Sequence, residues 1–168
     1  SGKSKPTVLI TMTPETERGN REPLQVVTKQ DYRWLRTDIK VTSLIANSMI
    51  QNEALAEGYD DAILVRDGIV TEATSANFFM VVGDVIQTPP LSNLLLHGVT
   101  RNHIVAIALS AGIVIEETAI RESQLLTADE AWISSTGFRG ERAWDCDESR
   151  CKGSLARRPF RNDLPPRP

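Results

Sequence analysis

Residues 60–90, DDAILVRDGIVTEATSANFFMVVGDVIQTPP, constrain the fold more strongly than any other part of the chain. In this stretch, short apolar runs rich in β-branched residues alternate with two glycine-containing turn dipeptides, Asp67-Gly68 and Gly83-Asp84. Such dipeptides between apolar runs are typical of tight turns that join neighbouring antiparallel strands. The centre of the chain is therefore predicted to be a β-meander, which argues against an all-helical bundle.

Helical and strand-like patterns alternate on both sides of this meander. Over residues 42–58 the apolar side chains recur with a helical period, with Thr42 or Ser43 as the candidate N-cap and Gly58 as the candidate end. The same reasoning predicts further helices over 100–112 and 121–129, and strands over 7–13, 24–29, 113–120 and 130–136. This interleaving predicts a mixed α/β (α+β) fold with a β-rich centre flanked by helices.

The composition of the 168-residue chain argues against several broad functions. No apolar run approaches the roughly 18 residues of a membrane-spanning helix. A formal net charge of −3 does not favour nucleic-acid binding. The two cysteines, Cys146 and Cys151, imply no disulfide framework and make a poor metal site without nearby histidines. We therefore expect a cytoplasmic protein without a metal ion, a nucleic-acid partner or a membrane partner.

The end of the chain differs in composition from the rest, because residues 137–168 contain no Val or Ile but seven Arg. A segment without β-branched aliphatic residues can bury little apolar surface. We therefore predict a folded region over residues 1–136 and an Arg/Pro-rich tail over 137–168. The abrupt change suggests that the tail is poorly ordered or a frameshifted reading. The arginines are alternatively a contact for an acidic partner, although five acidic residues lie among them.

Four segments of the chain occur in an order that is found in one enzyme family: RWLRTDIK, GIVTEATSANFF, LLLHGVTRNHI and DEAWISST. Together, over roughly residues 7–136, they resemble the large domain of fold-type IV pyridoxal-phosphate (PLP) enzymes. This family includes D-amino-acid aminotransferase, branched-chain aminotransferase and aminodeoxychorismate lyase, and RWLRTDIK followed by SLIAN is most similar to the first of these. The resemblance implies the PLP-binding large domain of a D-amino-acid aminotransferase-like fold, with the family's N-terminal small domain missing.

The resemblance implies a catalytic role for Lys40. At this position the family has the lysine whose amine forms a Schiff base with PLP and moves a proton at the substrate α-carbon. Glu72 matches the acid that keeps the pyridine nitrogen protonated, and Asn77 matches a residue that supports the same loop. Arg33 matches an arginine near the cofactor, where it could bind a ring hydroxyl. Without the resemblance, a solvated lysine and a hairpin-edge glutamate are the simpler explanations of Lys40 and Glu72.

The remaining matches concern the ring and the phosphate of the cofactor. Leu96 matches an apolar residue that packs against the ring. Val99 and Thr100 match the backbone and hydroxyl groups that hold the phosphate, and a helix N-terminus attracts anions on physical grounds alone. Thr136, followed by Gly137, matches a second phosphate contact. An ordinary N-cap threonine explains Thr100 equally simply.

Three functions are compatible with these residues. The first is a transaminase that moves the amino group of a (D-)amino acid to a 2-oxo acid and, like its relatives, forms a homodimer. The second is an aminodeoxychorismate lyase, which uses the same lysine and cofactor but eliminates pyruvate. The third is a non-catalytic fragment that serves only as an interaction surface, because the small domain supplies much of the family's substrate pocket.

Overall fold

The computed structural model describes residues 7–12 and 23–136 together with the backbone of residues 141–142. Its helices and strands, in chain order, are β1 (Val26–Gln30), α1 (Ile45–Ala56), β2 (Asp61–Arg66), β3 (Ile69–Ala73), β4 (Asn77–Val82), β5 (Val85–Thr88), α2 (Val99–Ser110), β6 (Val114–Glu117), a 3-10 helix (Glu122–Thr127), β7 (Glu130–Ser134) and β8 (Glu141–Arg142). The predicted mixed α/β fold with a β-rich centre is therefore confirmed.

The strands form two sheets that the chain joins between β3 and β4. The first sheet has the order β1-β2-β3, in which β1 runs parallel and β3 antiparallel to β2. The second has the order β6-β5-β4-β7-β8, in which β5 and β6 are parallel and the other neighbours antiparallel. The crossing between the sheets is a tight turn closed by a 2.8 Å hydrogen bond from the Ala73 N–H to the Ala76 carbonyl.

Both predicted turn dipeptides form the hairpins of the meander. Asp67 and Gly68 have φ angles of 52° and 74°, which is the left-handed backbone that a two-residue turn between twisted strands requires. Gly83 has a φ of 60° and lies between β4 and β5. These turns form from local backbone preferences, which explains why the sequence predicts them well.

The main hydrophobic core lies between the sheets and the 3-10 helix. Strand β2 is buried on both faces, because Ile63 and Val65 face this core while Ala62 and Leu64 face α1. Helix α1 contributes Ile50 and Ala54 to the second, smaller cluster. The helix thereby covers the three-stranded sheet and fixes the segment that precedes it.

Three local predictions differ from the structure. Residues 7–12 form no strand, and their apolar side chains, such as Leu9, are largely exposed. An apolar run becomes a strand only where a neighbouring strand accepts its hydrogen bonds, and no described strand pairs with this one. Helix α1 begins at Ile45 with Leu44 in the N-cap position, so neither Thr42 nor Ser43 caps it. The helix expected over 121–129 is a 3-10 helix, Glu122–Thr127.

Among the described residues, neither α-helix has the length and apolar character that crossing a membrane would require. The tail over 137–168 lies outside the described residues, apart from the backbone of Glu141 and Arg142, which pairs with β7.

Candidate active site

A cavity of about 590 Å³ opens where the ends of several elements meet. Its walls come from the segment that leads into α1, the crossing from β3 to β4, the start of α2 and the end of β7. The residues predicted from the sequence that line it are Arg33, Lys40, Glu72, Leu96, Val99, Thr100 and Thr136. Gly137, the remaining predicted residue, lies outside the described residues. Side chains far apart in the sequence thus face one pocket.

Lys40 lies at the open side of this cavity. It is an exposed residue shortly before α1, and its side chain has no hydrogen bond or ion pair with any described residue. The segment that carries Lys40 is anchored by two hydrogen bonds, because the Thr37 N–H and hydroxyl donate to the Asn93 carbonyl at 2.9 and 3.1 Å. The backbone near Lys40 is therefore fixed, while its amine stays free to meet a ligand.

Glu72 lies at the closed end of the cavity, with only 5 % of the residue exposed. One carboxylate oxygen accepts a 2.6 Å bond from Arg33 Nη1. The other accepts bonds of 3.1 Å from Asn77 Nδ2 and from the Leu96 N–H. Burial raises the pKa of Glu72, and the charge and hydrogen bond of Arg33 together with the Leu96 N–H limit that rise. The carboxylate is thereby fixed in orientation at the base of the pocket.

Arg33 connects Glu72 to a second carboxylate that the sequence analysis missed. The Arg33 guanidinium binds Asp31 through Nε and Nη2, both at 3.0 Å, and Arg66 Nη2 reaches the same carboxylate at 3.0 Å. Burial alone would raise the pKa of Asp31, but the hydrogen bonds and charges of Arg33 and Arg66 lower it to about 2. The sequence predicts Arg33 near the cofactor; it lines the cavity, but most of its donors bind protein acceptors.

Arg36, the other arginine of this segment, behaves as an ordinary surface residue. Its Nε and Nη2 donate to Asp38 at 2.9 and 3.0 Å, and its side chain is 57 % exposed. Arg36 and Asp38 therefore form a surface ion pair.

The start of α2 forms a further side of the cavity, and no side chain in the described part of the chain caps it. Gly98 occupies the N-cap position without a side-chain hydrogen bond, so the N–H groups of the first turn point out uncapped. A Cβ atom on Gly98 would lie 2.1 Å from Asn77 Oδ1, so a larger residue at this position would have to displace the amide. Asn77 Nδ2 in turn donates to the Leu96 carbonyl at 2.8 Å. The helix start is therefore locked to the residue that also holds Glu72.

Ser134 is a further cavity residue that the sequence analysis did not select. It is the last residue of β7, only 1 % exposed, and its hydroxyl has no hydrogen-bond partner among the described residues. A buried hydroxyl without a partner costs about 1–3 kcal/mol, which is unusual unless a ligand is recognised. The resemblance instead predicted Thr136, two residues further along the chain, as the hydroxyl contact.

The chain belongs to the amino-transferase class IV family, because the family's sequence model matches residues 1–140. This membership confirms the resemblance described above. The family includes enzymes of amino-group transfer, and the mixed α/β fold of the chain agrees with this membership.

Within this family, the chain is similar in sequence to several D-alanine aminotransferases. The chain is 42% identical over 123 residues to the D-alanine aminotransferase of Bacillus licheniformis, a match that covers 73% of this chain and 43% of that protein. It is 36% identical over 132 residues to the D-alanine aminotransferase of Listeria monocytogenes serotype 4b, covering 77% and 46%. The chain therefore spans less than half the length of the curated relatives that it matches.

Solved structures show the same likeness in three dimensions. The branched-chain aminotransferase of Thermoproteus uzoniensis, solved with norvaline, matches with a TM-score of 0.68 at 31% identity, covering 75% of this chain and 44% of that one. A fold IV-transaminase of Curtobacterium pusillum matches with a TM-score of 0.70 at 25% identity, covering 80% and 50%. The fold thus matches about half the length of these fold-type IV transaminase structures.

Proposed function

We propose that the cavity holds pyridoxal 5'-phosphate and that the protein is a transaminase that moves the amino group of a (D-)amino acid to a 2-oxo acid. One observation carries this proposal: an unpartnered amine, Lys40, a buried carboxylate, Glu72, and an uncapped helix start at Val99 line one cavity. The D-alanine aminotransferases among the relatives support a D-amino acid as the amino donor.

The donor set fits this cofactor. A cavity of about 590 Å³ is of the size that small-molecule sites commonly have. The first-turn N–H groups of α2 and the hydroxyls of Thr100 and Thr136 suit a phosphate. On the same cavity, Glu72 suits a protonated ring nitrogen, and Leu96 offers an apolar surface to a flat ring. The unpartnered Ser134 hydroxyl is a further donor on the wall.

When bound, pyridoxal phosphate supplies an aldehyde that condenses with amines and a ring that withdraws electrons from the substrate α-carbon. Lys40 would hold the cofactor through its Nζ and, once released, take a proton from the α-carbon and return it. The Glu72 carboxylate would accept a hydrogen bond from the ring N–H and keep that nitrogen protonated. Arg33 and Asn77 hold Glu72 in place for this contact.

The geometry also supports the assignments of the phosphate residues. The backbone of Val99 and Thr100 would hold the phosphate at the helix start, together with the Thr100 hydroxyl, since an anion there is favoured by the helix dipole. Thr136, two residues after the end of β7, would add a hydroxyl. The N–H group of Gly137 is proposed on the resemblance alone, because Gly137 lies outside the described residues. Arg33 retains an N–H on Nη1 beyond the one given to Glu72, which would be available to a ring substituent.

A homodimer is part of this proposal. Seven large apolar side chains between residues 32 and 49 are 42–74% exposed, which favours a partner surface over water. We expect the chain to self-associate, and sedimentation of a monodisperse monomer would contradict this.

A cytoplasmic location is proposed on the low content of two cysteines. The division into a folded region over 1–136 and a tail over 137–168 is likewise proposed on composition.

Cofactor addition tests the proposal directly. PLP added to the chain should give a visible absorption band, and borohydride reduction should fix the cofactor on a peptide that contains Lys40. Lys40→Ala should abolish the band and the label. Lys29→Ala is the matched control, because Lys29 pairs with Glu57 at 2.6 Å outside the cavity and its loss should change neither. Absence of the band in the parent chain at millimolar PLP would refute cofactor binding.

Substrate addition then separates the candidate activities. With the cofactor bound, D-alanine should convert the visible band to that of the amine form and release pyruvate, and 2-oxoglutarate should restore it. Release of pyruvate from aminodeoxychorismate would instead identify a lyase. A stable band that no amino acid changes would identify a cofactor-binding but non-catalytic fragment.

A further inference from the structure

We propose that Asp31 and Arg66, which lie outside the cavity wall, are positioning residues that set the charge on Glu72 by acting through Arg33. The inference rests on the proposed function in one respect: Glu72 is taken to face the ring nitrogen of the cofactor. Its consequence is that Asp31 and Arg66 tune how strongly that nitrogen keeps its proton, with opposite signs.

Asp31 is the centre of a closed network of hydrogen bonds. One of its carboxylate oxygens accepts from the Arg33 N–H at 3.1 Å, from Arg33 Nε at 3.0 Å and from Arg66 Nη2 at 3.0 Å. The other accepts from Arg33 Nη2 at 3.0 Å and from Thr71 Oγ1 at 2.9 Å. Five donors on two oxygens leave the carboxylate no freedom to rotate, so it can act as a fixed support.

Arg33 lies between the Asp31 and Glu72 carboxylates, and it transmits changes at Asp31 to Glu72. Its Nε and Nη2 face Asp31, while Nη1 faces Glu72 at 2.6 Å. The two-point contact with Asp31 fixes the plane of the guanidinium, because a planar fork can satisfy a carboxylate in one orientation only. That plane in turn decides where the Nη1 donor lies relative to Glu72.

Arg66 completes the charge balance from the neighbouring strand β2. It binds Asp31 and also donates from Nη2 to the Arg33 carbonyl at 2.8 Å. The network therefore contains two positive and two negative side chains, with side-chain exposures from 0% for Asp31 to 13% for Arg66. Charges buried to this degree are weakly screened, so a change of one charge reaches its neighbours.

The balance predicts opposite effects for its two outer members. Without the negative charge of Asp31, the remaining network would carry a net positive charge. A protonated ring nitrogen beside Glu72 would then be less favourable. Without the positive charge of Arg66, the network would carry a net negative charge. A protonated ring nitrogen beside Glu72 would then be more favourable. A purely structural role predicts instead that both losses weaken the site in the same direction. The other charged or titratable side chains that line the cavity, Asp38, Lys40 and His97, are unchanged in Asp31→Asn and Arg66→Gln.

The first experiment uses the 168-residue chain without cofactor. The carboxyl carbon of Glu72, labelled with ¹³C, is followed by NMR as a function of pH in Asp31→Asn and Arg66→Gln. We expect the Glu72 pKa to fall by about one unit in Asp31→Asn and to rise by about one unit in Arg66→Gln. The double variant should return close to the parent value. Arg36→Gln, which removes a surface charge, is the control and should leave the Glu72 pKa unchanged.

The second experiment adds PLP labelled with ¹⁵N in the ring. The ¹⁵N shift should move towards the unprotonated value in Asp31→Asn and towards the protonated value in Arg66→Gln. Shifts in the same direction, or no change of the Glu72 pKa, would overturn the inference. Failure of PLP to bind the parent chain would overturn the proposed function instead, while the Glu72 titration would still decide the inference. If Asp31→Asn does not fold, Arg66→Gln and its charge-preserving counterpart Arg66→Lys decide the sign alone.

Discussion

The contact between Gly98 and Asn77 yields a prediction that tests the architecture of the cavity without any ligand. A Cβ atom at position 98 would lie 2.1 Å from Asn77 Oδ1, far inside the van der Waals separation of about 3.5 Å. The backbone of Gly98 has a φ of −64°, so alanine meets no backbone strain there. The whole cost of Gly98→Ala must therefore come from moving the Asn77 amide.

The magnitude follows from the hydrogen bonds that this movement breaks. Asn77 Nδ2 donates to the Leu96 carbonyl at 2.8 Å and to the buried Glu72 carboxylate at 3.1 Å. A neutral bond contributes about 1 kcal/mol and a bond to a charged group about 1.5–3 kcal/mol. Gly98→Ala should therefore lower the free energy of unfolding by about 3 kcal/mol. With a slope of about 2 kcal/mol per molar urea, the unfolding midpoint should fall by about 1.5 M.

A double-mutant cycle with Asn77→Ala separates the clash from other effects. Asn77→Ala removes the amide that the new Cβ meets, so adding Gly98→Ala to it should cost less than about 1 kcal/mol further. Urea unfolding of the four proteins, followed by circular dichroism, gives the coupling free energy. Strict additivity of the two single losses, or a loss below about 1 kcal/mol for Gly98→Ala alone, would refute the proposed packing of the helix start on Asn77.

Three further predictions concern acid stability, the core and the phosphate end of the cavity. The pKa of Asp31 is lowered from 3.8 to about 2, so its charge contributes about 2 kcal/mol to the free energy of unfolding above pH 5. This contribution is lost as the pH falls through 2. The urea midpoint of the parent chain should fall over this pH range, and the midpoint of Asp31→Asn should not show this part of the fall. Ile50→Ala should cost about 2–4 kcal/mol, since Ile50 is fully buried, whereas Ile45→Ala on the same helix, with Ile45 74% exposed, should cost under about 1 kcal/mol in thermal unfolding. Thr100→Val should weaken PLP binding by about tenfold or more in an absorption titration, and unchanged affinity would remove Thr100 from the phosphate site.

The features that were predictable from the sequence are those with local causes. The turn at Asp67 and Gly68 forms because these residues accept a left-handed backbone wherever they occur between strands. The start of α2 near Val99 follows from the helical spacing of the apolar residues after a glycine. The group of cavity residues was predicted through the resemblance, and their convergence on one cavity agrees with it. Their roles toward a cofactor remain a proposal.

Other features have causes that are distant in the sequence. The apolar run at residues 7–12 has a strand-like composition, but whether it pairs depends on a neighbouring strand, and the structure provides none among the described residues. The link between Asp31 and Arg66 joins residues that neither motif nor spacing connects, because it arises from the parallel pairing of β1 with β2.

The sequence by itself determined the turns, most of the helices and strands and the identity of the family, because these depend on backbone preferences, on the period of apolar residues and on motifs that can be compared directly. Only the tertiary structure decided which polar groups share an environment. It placed Arg33 between Asp31 and Glu72, and it seated the Asn77 amide against Gly98. The physical reason is that the charge and orientation of a buried group depend on neighbours brought close by folding, and the linear order of residues does not state those distances.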